Sequence, residues 1–598
     1  MYKKKIILSI LAANTLIAQE VKLEQITVTS ATRTSQSIED VTSNVNVITA
    51  KEIEEKHYTT VVQALESLSG INFTSNGGLG STTAVFLRGL DSKRTLVLID
   101  GIRYNDLTGT SGAPFADLMI GDIKQIEVIK GAQSGIWGAD ATAGVINIIT
   151  KSAKKGAHTS ANIEYGSFKS KKHGVLASYK ADNYYIKAGA QKIDTNGFSA
   201  QSPRGENIDK YEDDGYKNTT ANIKFGFDFD KNNKLDLSHT IINSRIEYDG
   251  YKNPNGIKSS KTKDRFSQIN FKQINNFTEL DIYAKLSKFE RDYSAGYEYD
   301  GEVQEYGIKS NTAYRENDFV VVGVDYKTFE HKNNLQEKYH NKALFLTNSN
   351  EFNILGGKTI LSESIRFDAY DKFDNKSTGK LGIKHFCKAI DGLTTSANIG
   401  SAYNVPTPYN LYSFYGNPNI KPESTVSYDV SAKYKELQLT YFHTNTKDMI
   451  DYDFTTSRYN NLTGDIKIEG VEIEYATRIN EDISLTSNYT WLEAKNSDNE
   501  TLRRRPKNSL KLALDYYGVK DLHLGVNGEY IGERFSNDGK KGTQTGKYTV
   551  INLVANYDIS KNISVYGKID NLFDKQYQVV DGYATAPLST YVGIKAQF

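Results

Sequence analysis

The sequence predicts an all-β transmembrane barrel of about 22 antiparallel strands whose lumen holds an N-terminal α/β plug domain. Three observations lead there. Roughly 450 residues after position 150 read as short alternating segments broken by Asn, Asp, Gly and Lys clusters, such as DKNNK at Asp230 to Lys234 and SKN at Ser560 to Asn562. At roughly 20 residues per strand with its loop, this supplies the strand number of a plugged transporter and far exceeds one sandwich. The last segment alternates cleanly: Thr590, Val592, Ile594, Ala596 and Phe598 share one face, and Tyr591, Gly593, Lys595 and Gln597 the other. Finally, a barrel this wide would leak if empty, and the mixed α/β text before Lys151 is the available filling.

The elements follow in order. Lys3, Lys4 and Lys5 precede an apolar run from Ile6 to Ile17, with Ala18 as a small residue near a cut, so residues 1–18 read as a secretory signal peptide too short to span a bilayer. Residues 19–35 form a separate short segment before a plug at 36–150 and a barrel at 151–598. In the plug, Thr49 with Glu52 reads as a capping box before Ile53. Thr60 opens a second helix whose Val61, Val62, Leu65 and Leu68 share a face before Gly70 ends it. Further alternation pairs Val471, Ile473 and Tyr475 against Glu472 and Glu474, and Leu510, Leu512 and Leu514 against Lys511, Ala513 and Asp515.

Composition narrows the class. Lys plus Arg number 73 against 72 Asp plus Glu, and the net charge of +1 makes no electrostatic case for a nucleic-acid partner. A single cysteine, Cys387, excludes an intramolecular disulfide and a Cys-based metal cluster. A mean hydropathy of -0.52 without a long apolar run argues against a helical membrane bundle, while 40 Tyr and 25 Phe suit a β-barrel with aromatic girdles. No GxSxG lies near a His and Asp in a defensible order, so an enzyme is not expected.

Three segments carry a family resemblance: AVFLRG at Ala84 to Gly89, LVLIDGIRYND at Leu96 to Asp106, and IEVIKGAQSGIWGADATAGVINIITK at Ile126 to Lys151. In order and spacing they resemble the plug of TonB-dependent outer-membrane receptors, and GKIDNLFDKQYQVVDGYA at Gly567 to Ala584 resembles the family's C-terminal signature. The resemblance implies an outer-membrane monomer driven by the TonB–ExbB–ExbD complex. Glu24, Gln25, Ile26, Thr27, Val28, Thr29 and Ser30 resemble the TonB box, which pairs with its partner by strand addition. Arg33 lies where the family often places a plug arginine that pairs with a barrel acid.

SFYGNPNIKPE at Ser413 to Glu423, DMIDYD at Asp448 to Asp453 and RRRPKNSLKLALDY at Arg503 to Tyr516 resemble the cobalamin branch of that family. This implies two substrate-facing apical plug loops, with Asn76, Leu79 and Ser81 on one and Thr110, Ser111 and Gly112 on the other. Small residues there let backbone and hydroxyls approach a large polar ligand such as cobalamin. YEDDGY at Tyr211 to Tyr216 and IEYDGY at Ile246 to Tyr251 resemble that branch's Ca²⁺-binding loops, with Glu212, Asp213, Asp214 and Asp249 as the implied ligands. A ferric siderophore or haem receptor of the same family is the alternative. GNPNIKP resembles a haem-receptor box, but Tyr403 to Asn419 contains no histidine.

Overall fold

The computed structural model describes residues 26–250 and 252–598, so the signal peptide, Glu24 and Gln25 lie outside the described residues. From Gly156 onward the chain is a meander of antiparallel strands closed into a 22-stranded barrel. The first strand, Gly156–Gly166, pairs with the last, Ser589–Gln597, with Ile163 opposite Ile594. Closure leaves no sheet edge, which a bilayer would otherwise penalise through unpaired backbone groups. No described helix is long and apolar enough to cross a membrane.

The barrel's two ends differ. Tight turns at 181–183, 355–356, 435–436 and 520–521 close one end, and long connections at 196–215, 405–422, 448–465, 532–547 and 571–588 crown the other. In outer-membrane barrels the long loops face outside. The wall obeys period-two burial. Along Glu423–Tyr434, Val426, Tyr428 and Val430 face outward, whereas Ser427, Asp429 and Ser431 are buried against the lumen contents. The closing strand does the same: Val592 is 62% and Ile594 44% exposed, on the face expected to meet lipid.

The plug is built on a five-stranded sheet in the order Val45–Thr49, Ile123–Lys130, Gly144–Thr150, Thr95–Ile99, Ile102–Arg103. Only the pairing of Thr95–Ile99 with Gly144–Thr150 is parallel within it. Its last strand ends at Thr150 and the first wall strand begins at Gly156. The helices are shorter than the apolar stripe predicts: Ala50–Lys56 and Val61–Leu65. Thr49 Oγ1 accepts from the Glu52 amide at 3.3 Å, but the reciprocal capping box sits instead at Thr60 and Gln63. Beyond Leu65 the second helix passes into tighter turns, with the Ser67 amide donating to Ala64 O at 3.2 Å and the Leu68 amide to Leu65 O at 3.1 Å, before the chain reaches Gly70 at φ +68°. A Cβ there would lie 2.0 Å from Glu472 Oε1 of the wall, so glycine is required by close approach.

Candidate functional site

Where the plug meets the turn-lined end, Thr27–Val28 pairs antiparallel with Gln36–Ser37. Val28 is fully buried with Ala31, Val41 and Ile129. The Glu127 carboxylate accepts from the Thr29 amide at 3.1 Å and the Ser30 amide at 3.0 Å, and also from the Ser30 hydroxyl. Gln125 Nε2 donates to Thr27 O at 2.9 Å, and Trp137 Nε1 to Ser30 O at 2.7 Å. The candidate coupling segment is therefore docked on the plug, with Ile26 and Thr27 exposed. Next to it, Arg33 takes φ of +62° and donates to Asp325 at 3.0 Å and to Tyr283 Oη at 2.7 Å, over the Phe345 ring. Arg366 shares the same aspartate at 3.0 Å.

The apical plug loops are less open than the sequence implies. Asn76, Leu79, Thr110 and Gly112 are half-buried and Ser111 is exposed, but Ser81 is buried and does not face a ligand space. Loop 196–215 and its neighbouring strands cover it: Leu79 packs with Met119, Ile193 and Tyr216. Loop 405–422 clasps the second apical loop, with Thr407 Oγ1 donating to Gly109 O at 3.2 Å, while Thr110 Oγ1 lies 3.4 Å from Tyr459 Oη. Beneath this clasp a cavity of about 50 Å³ is lined by Arg103, Asp106, Asp140, Tyr339 and Asn404. Ligand pockets are typically several hundred Å³.

Those outer loops carry aromatic rings and arginine. The Tyr299 and Tyr409 centroids lie 6.0 Å apart, Tyr409 and Tyr459 6.3 Å, Tyr452 and Tyr459 5.3 Å, and Tyr452 and Phe454 5.1 Å. Arg503 lies over Phe454 at 5.3 Å. The three segments that carry the branch-level resemblance thus converge at one mouth, and Asn417 Nδ2 donates to Asn460 Oδ1 at 2.7 Å between two of their loops.

Glu212, Asp214 and Asp249 present carboxylate oxygens within 4.8 Å of one another at the outer rim. Asp214 and Asp249 are only 7% and 8% exposed. One oxygen of each is anchored, Asp214 Oδ2 by the Ala200 amide at 2.7 Å and Asp249 Oδ2 by the Gln201 amide at 2.8 Å. The other oxygens, and Glu212 Oε1, are buried without a hydrogen-bond donor. Burial, reinforced by the Asp249 charge, pushes Glu212 up to about 7, and burial with the neighbouring carboxylates raises Asp214 to about 7. Convergent orphan oxygens fit a hard cation. Asp213 is a correction: it is exposed and stands outside the group, because the extended chain turns Asp214 inward onto the Ala200 amide.

Sequence reasoning missed the buried charge pairs that fasten plug to wall. Arg88, in the AVFLRG segment, donates to Glu472 at 2.9 and 3.1 Å and to Asp429 at 3.3 Å. Lys130, in IEVIKG, reaches Glu472 and Glu474, each at 3.3 Å. Arg94 holds Glu423 at 2.8 and 2.9 Å. The one available signal was an acid on the lumen face of a predicted strand, as at Glu472.

The model for "TonB dependent receptor-like, beta-barrel" matches residues 156–572, and that for "TonB-dependent Receptor Plug Domain" matches 37–145. Among solved structures the chain is similar to a variant of the ferric enterobactin receptor from Pseudomonas aeruginosa in complex with enterobactin, at 17% identity over 93% of this chain and 99% of that one, with a TM-score of 0.78. It is also similar to the siderophore receptor PirA from Pseudomonas aeruginosa, at 18% identity over 93% and 99% with a TM-score of 0.72. PirA from Acinetobacter baumannii gives 17% over 93% and 98%, with a TM-score of 0.78. At these identities the likeness concerns the fold.

Proposed function

Since this chain belongs to the TonB-dependent receptor family and resides in the outer membrane as a plugged barrel, we propose that it takes up a ferric siderophore by energy-coupled transport. Residues 24–30 are the segment that pairs with TonB of the TonB–ExbB–ExbD complex. Its short β-branched text suits strand addition, and its docking through Glu127 can be reversed without unfolding the plug sheet.

The observation that carries the substrate reading is the aromatic mouth with Arg503 beside Phe454. Ferric catecholates are anionic and present rigid aromatic faces, which Tyr rings and a guanidinium complement. The similar solved structures named above are siderophore receptors, in agreement with this choice. Cobalamin is the second reading, favoured by the Glu212, Asp214 and Asp249 cluster, in which a Ca²⁺ ion would order the outer loops. Haem has less support, because residues 403–419 lack a histidine and His331, at the outer end of its strand, is fully buried.

Titrating the purified receptor with ferric enterobactin, cobalamin and haem tests the choice. Ferric enterobactin should bind, and Arg503→Ala should weaken it about tenfold to a hundredfold, the value of a charged hydrogen bond. Saturable cobalamin binding with no ferric enterobactin binding would replace the siderophore reading by the second one. Uptake that persists in cells lacking TonB would overturn the coupling.

A further inference from the structure

Four neighbouring wall strands, Tyr216–Asp228, Asn233–Gly250, Asn253–Ile274 and Thr278–Tyr293, gather cations toward their outer ends on the face turned away from the lumen. Lys217, Arg245, Lys261 and Lys263 each keep more than half of the side chain exposed. Their chain neighbours Asn218, Ser244, Thr262 and Asp264 are buried against the lumen contents. Lower on the same outward face the wall is apolar, with Ile223, Leu237, Ile269 and Ile282 exposed. Arg265 stands nine residues from the inner strand end at Ile274. At ~3.4 Å per residue and a tilt of about 40°, that is a height of about 23 Å, close to the upper edge of a lipid-facing band about 25 Å tall. The cations therefore lie at the level of the outer-leaflet headgroups.

Their pairing is unlike that of an ordinary solvated face. Lys217 lies directly opposite Arg245, and Arg245 opposite Lys261, so three cations form one row across three strands. In a lower row Arg265 lies opposite Lys288. Like charges directly opposite on one face of a sheet repel. Each cation of the upper row has one acid nearby, Asp194, Glu247 and Asp292 at 3.4, 3.6 and 3.8 Å, distances longer than an N–H···O hydrogen bond. Glu290 is shared between Lys263 and Arg265. Lys171 and Lys192, exposed on the two preceding strands, have no carboxylate within 4.0 Å among the described residues. Elsewhere, on Leu393–Asn404, Glu423–Tyr434, Tyr548–Asp558 and Ser589–Gln597, the outward positions at this end are Ser401, Ser424, Thr549 and Thr590. The concentration of positive charge is thus local to one side of the wall.

We propose that this face docks the phosphorylated glycolipid headgroups of the outer leaflet. A phosphate monoester carries nearly two negative charges and three acceptor oxygens, so one seated between Arg245 and Lys261 accepts from both and replaces their repulsion by attraction. The acyl chains then lie on Leu237 and Ile269 directly below. Charge above and apolar wall beneath match the two halves of one amphiphile. The surface is independent of which ligand the barrel transports. As a test, the full chain in dodecyl maltoside is titrated with bisphosphorylated lipid A, with the same lipid dephosphorylated, and with dioleoyl phosphatidylglycerol, and bound lipid is measured by native mass spectrometry. The parent should hold bisphosphorylated lipid A roughly tenfold or more tighter than either other lipid, the value of a charged hydrogen bond. Arg245→Gln with Lys261→Gln and Lys263→Gln should lose that preference. Lys338→Gln with Lys342→Gln and Lys467→Gln, exposed cations of other wall strands, should keep it. Equal binding of the dephosphorylated lipid would show recognition of acyl chains alone and would overturn the proposal. Equal binding of phosphatidylglycerol would assign the face to any anionic lipid, and equal loss in the second variant would reduce the effect to net charge; either result also overturns it. The lipid comparison uses the unaltered chain and decides the matter even if a variant fails to fold.

Discussion

Glu472 offers the sharpest test of what keeps the plug in place. Its carboxylate is 1% exposed and serves two cations, Arg88 at 2.9 Å and Lys130 at 3.3 Å. Removing one partner of a buried pair costs about 3–5 kcal/mol, because the charge left behind has lost both water and counter-ion. Arg88 keeps Asp429 and Lys130 keeps Glu474, each at 3.3 Å, so the low end applies. About 3 kcal/mol corresponds to roughly a hundredfold shift in the opening equilibrium. Hydrogen exchange of the plug strand Ile123–Lys130 reports that opening, with the wall strands as internal reference. In Glu472→Gln, which keeps volume and loses charge, plug exchange should accelerate about a hundredfold while the wall stays protected. Parent-like exchange in Glu472→Gln alongside fast exchange in Glu472→Ala would show that packing, and not charge, holds the plug, and would refute the reasoning.

Val28→Pro should abolish uptake with ligand binding intact, since proline removes the backbone donor needed for strand addition; uptake equal to the parent would reject the coupling segment. Asp249→Asn should weaken Ca²⁺ binding by roughly tenfold or more, as for loss of a metal-site partner, whereas Asp213→Asn should leave it unchanged; calorimetry separates the two. Glu212 and Asp214 are raised to about 7, so the folded rim holds protons that an unfolded chain releases near pH 4. The rim's stability is then full at low pH and falls as pH climbs through about 7 without a cation, and Ca²⁺ affinity should rise across that range with proton release; a pH-independent titration would count against the site. Gly80→Ala should disorder the first apical loop, because its φ is +82° and a Cβ would meet the Tyr216 ring at 2.1 Å; unchanged loop exchange would contradict this.

The wall was legible because its signal is local. Period-two alternation at Ser589–Gln597 or across Glu472 and Glu474 needs only neighbouring residues, and the bilayer enforces it on every strand. The plug was legible as a domain, but its details were not: apolar spacing extended the second helix to Leu68, while the chain passes into tighter turns after Leu65. The acidic rim was half legible. Resemblance marked Glu212 to Asp214 and Asp249, but which of two adjacent aspartates turns inward depends on the Ala200 amide. Ser81 could not be distinguished from its exposed neighbours until loop 196–215 covered it.

The sequence by itself determined that this chain is a plugged barrel, while the positions of a coupling strand and of apical loops are what its resemblance implies. Only the tertiary structure decided which charges meet. Arg33 and Asp325 are 292 residues apart, and Arg88 and Glu472 are 384. No local pattern encodes such pairs; they exist because the closed wall and the plug share one low-dielectric lumen, where each buried charge must find its partner. The same enclosure leaves a cavity of about 310 Å³ along the seam between the first and last wall strands, a consequence of how two surfaces fail to fill the space between them.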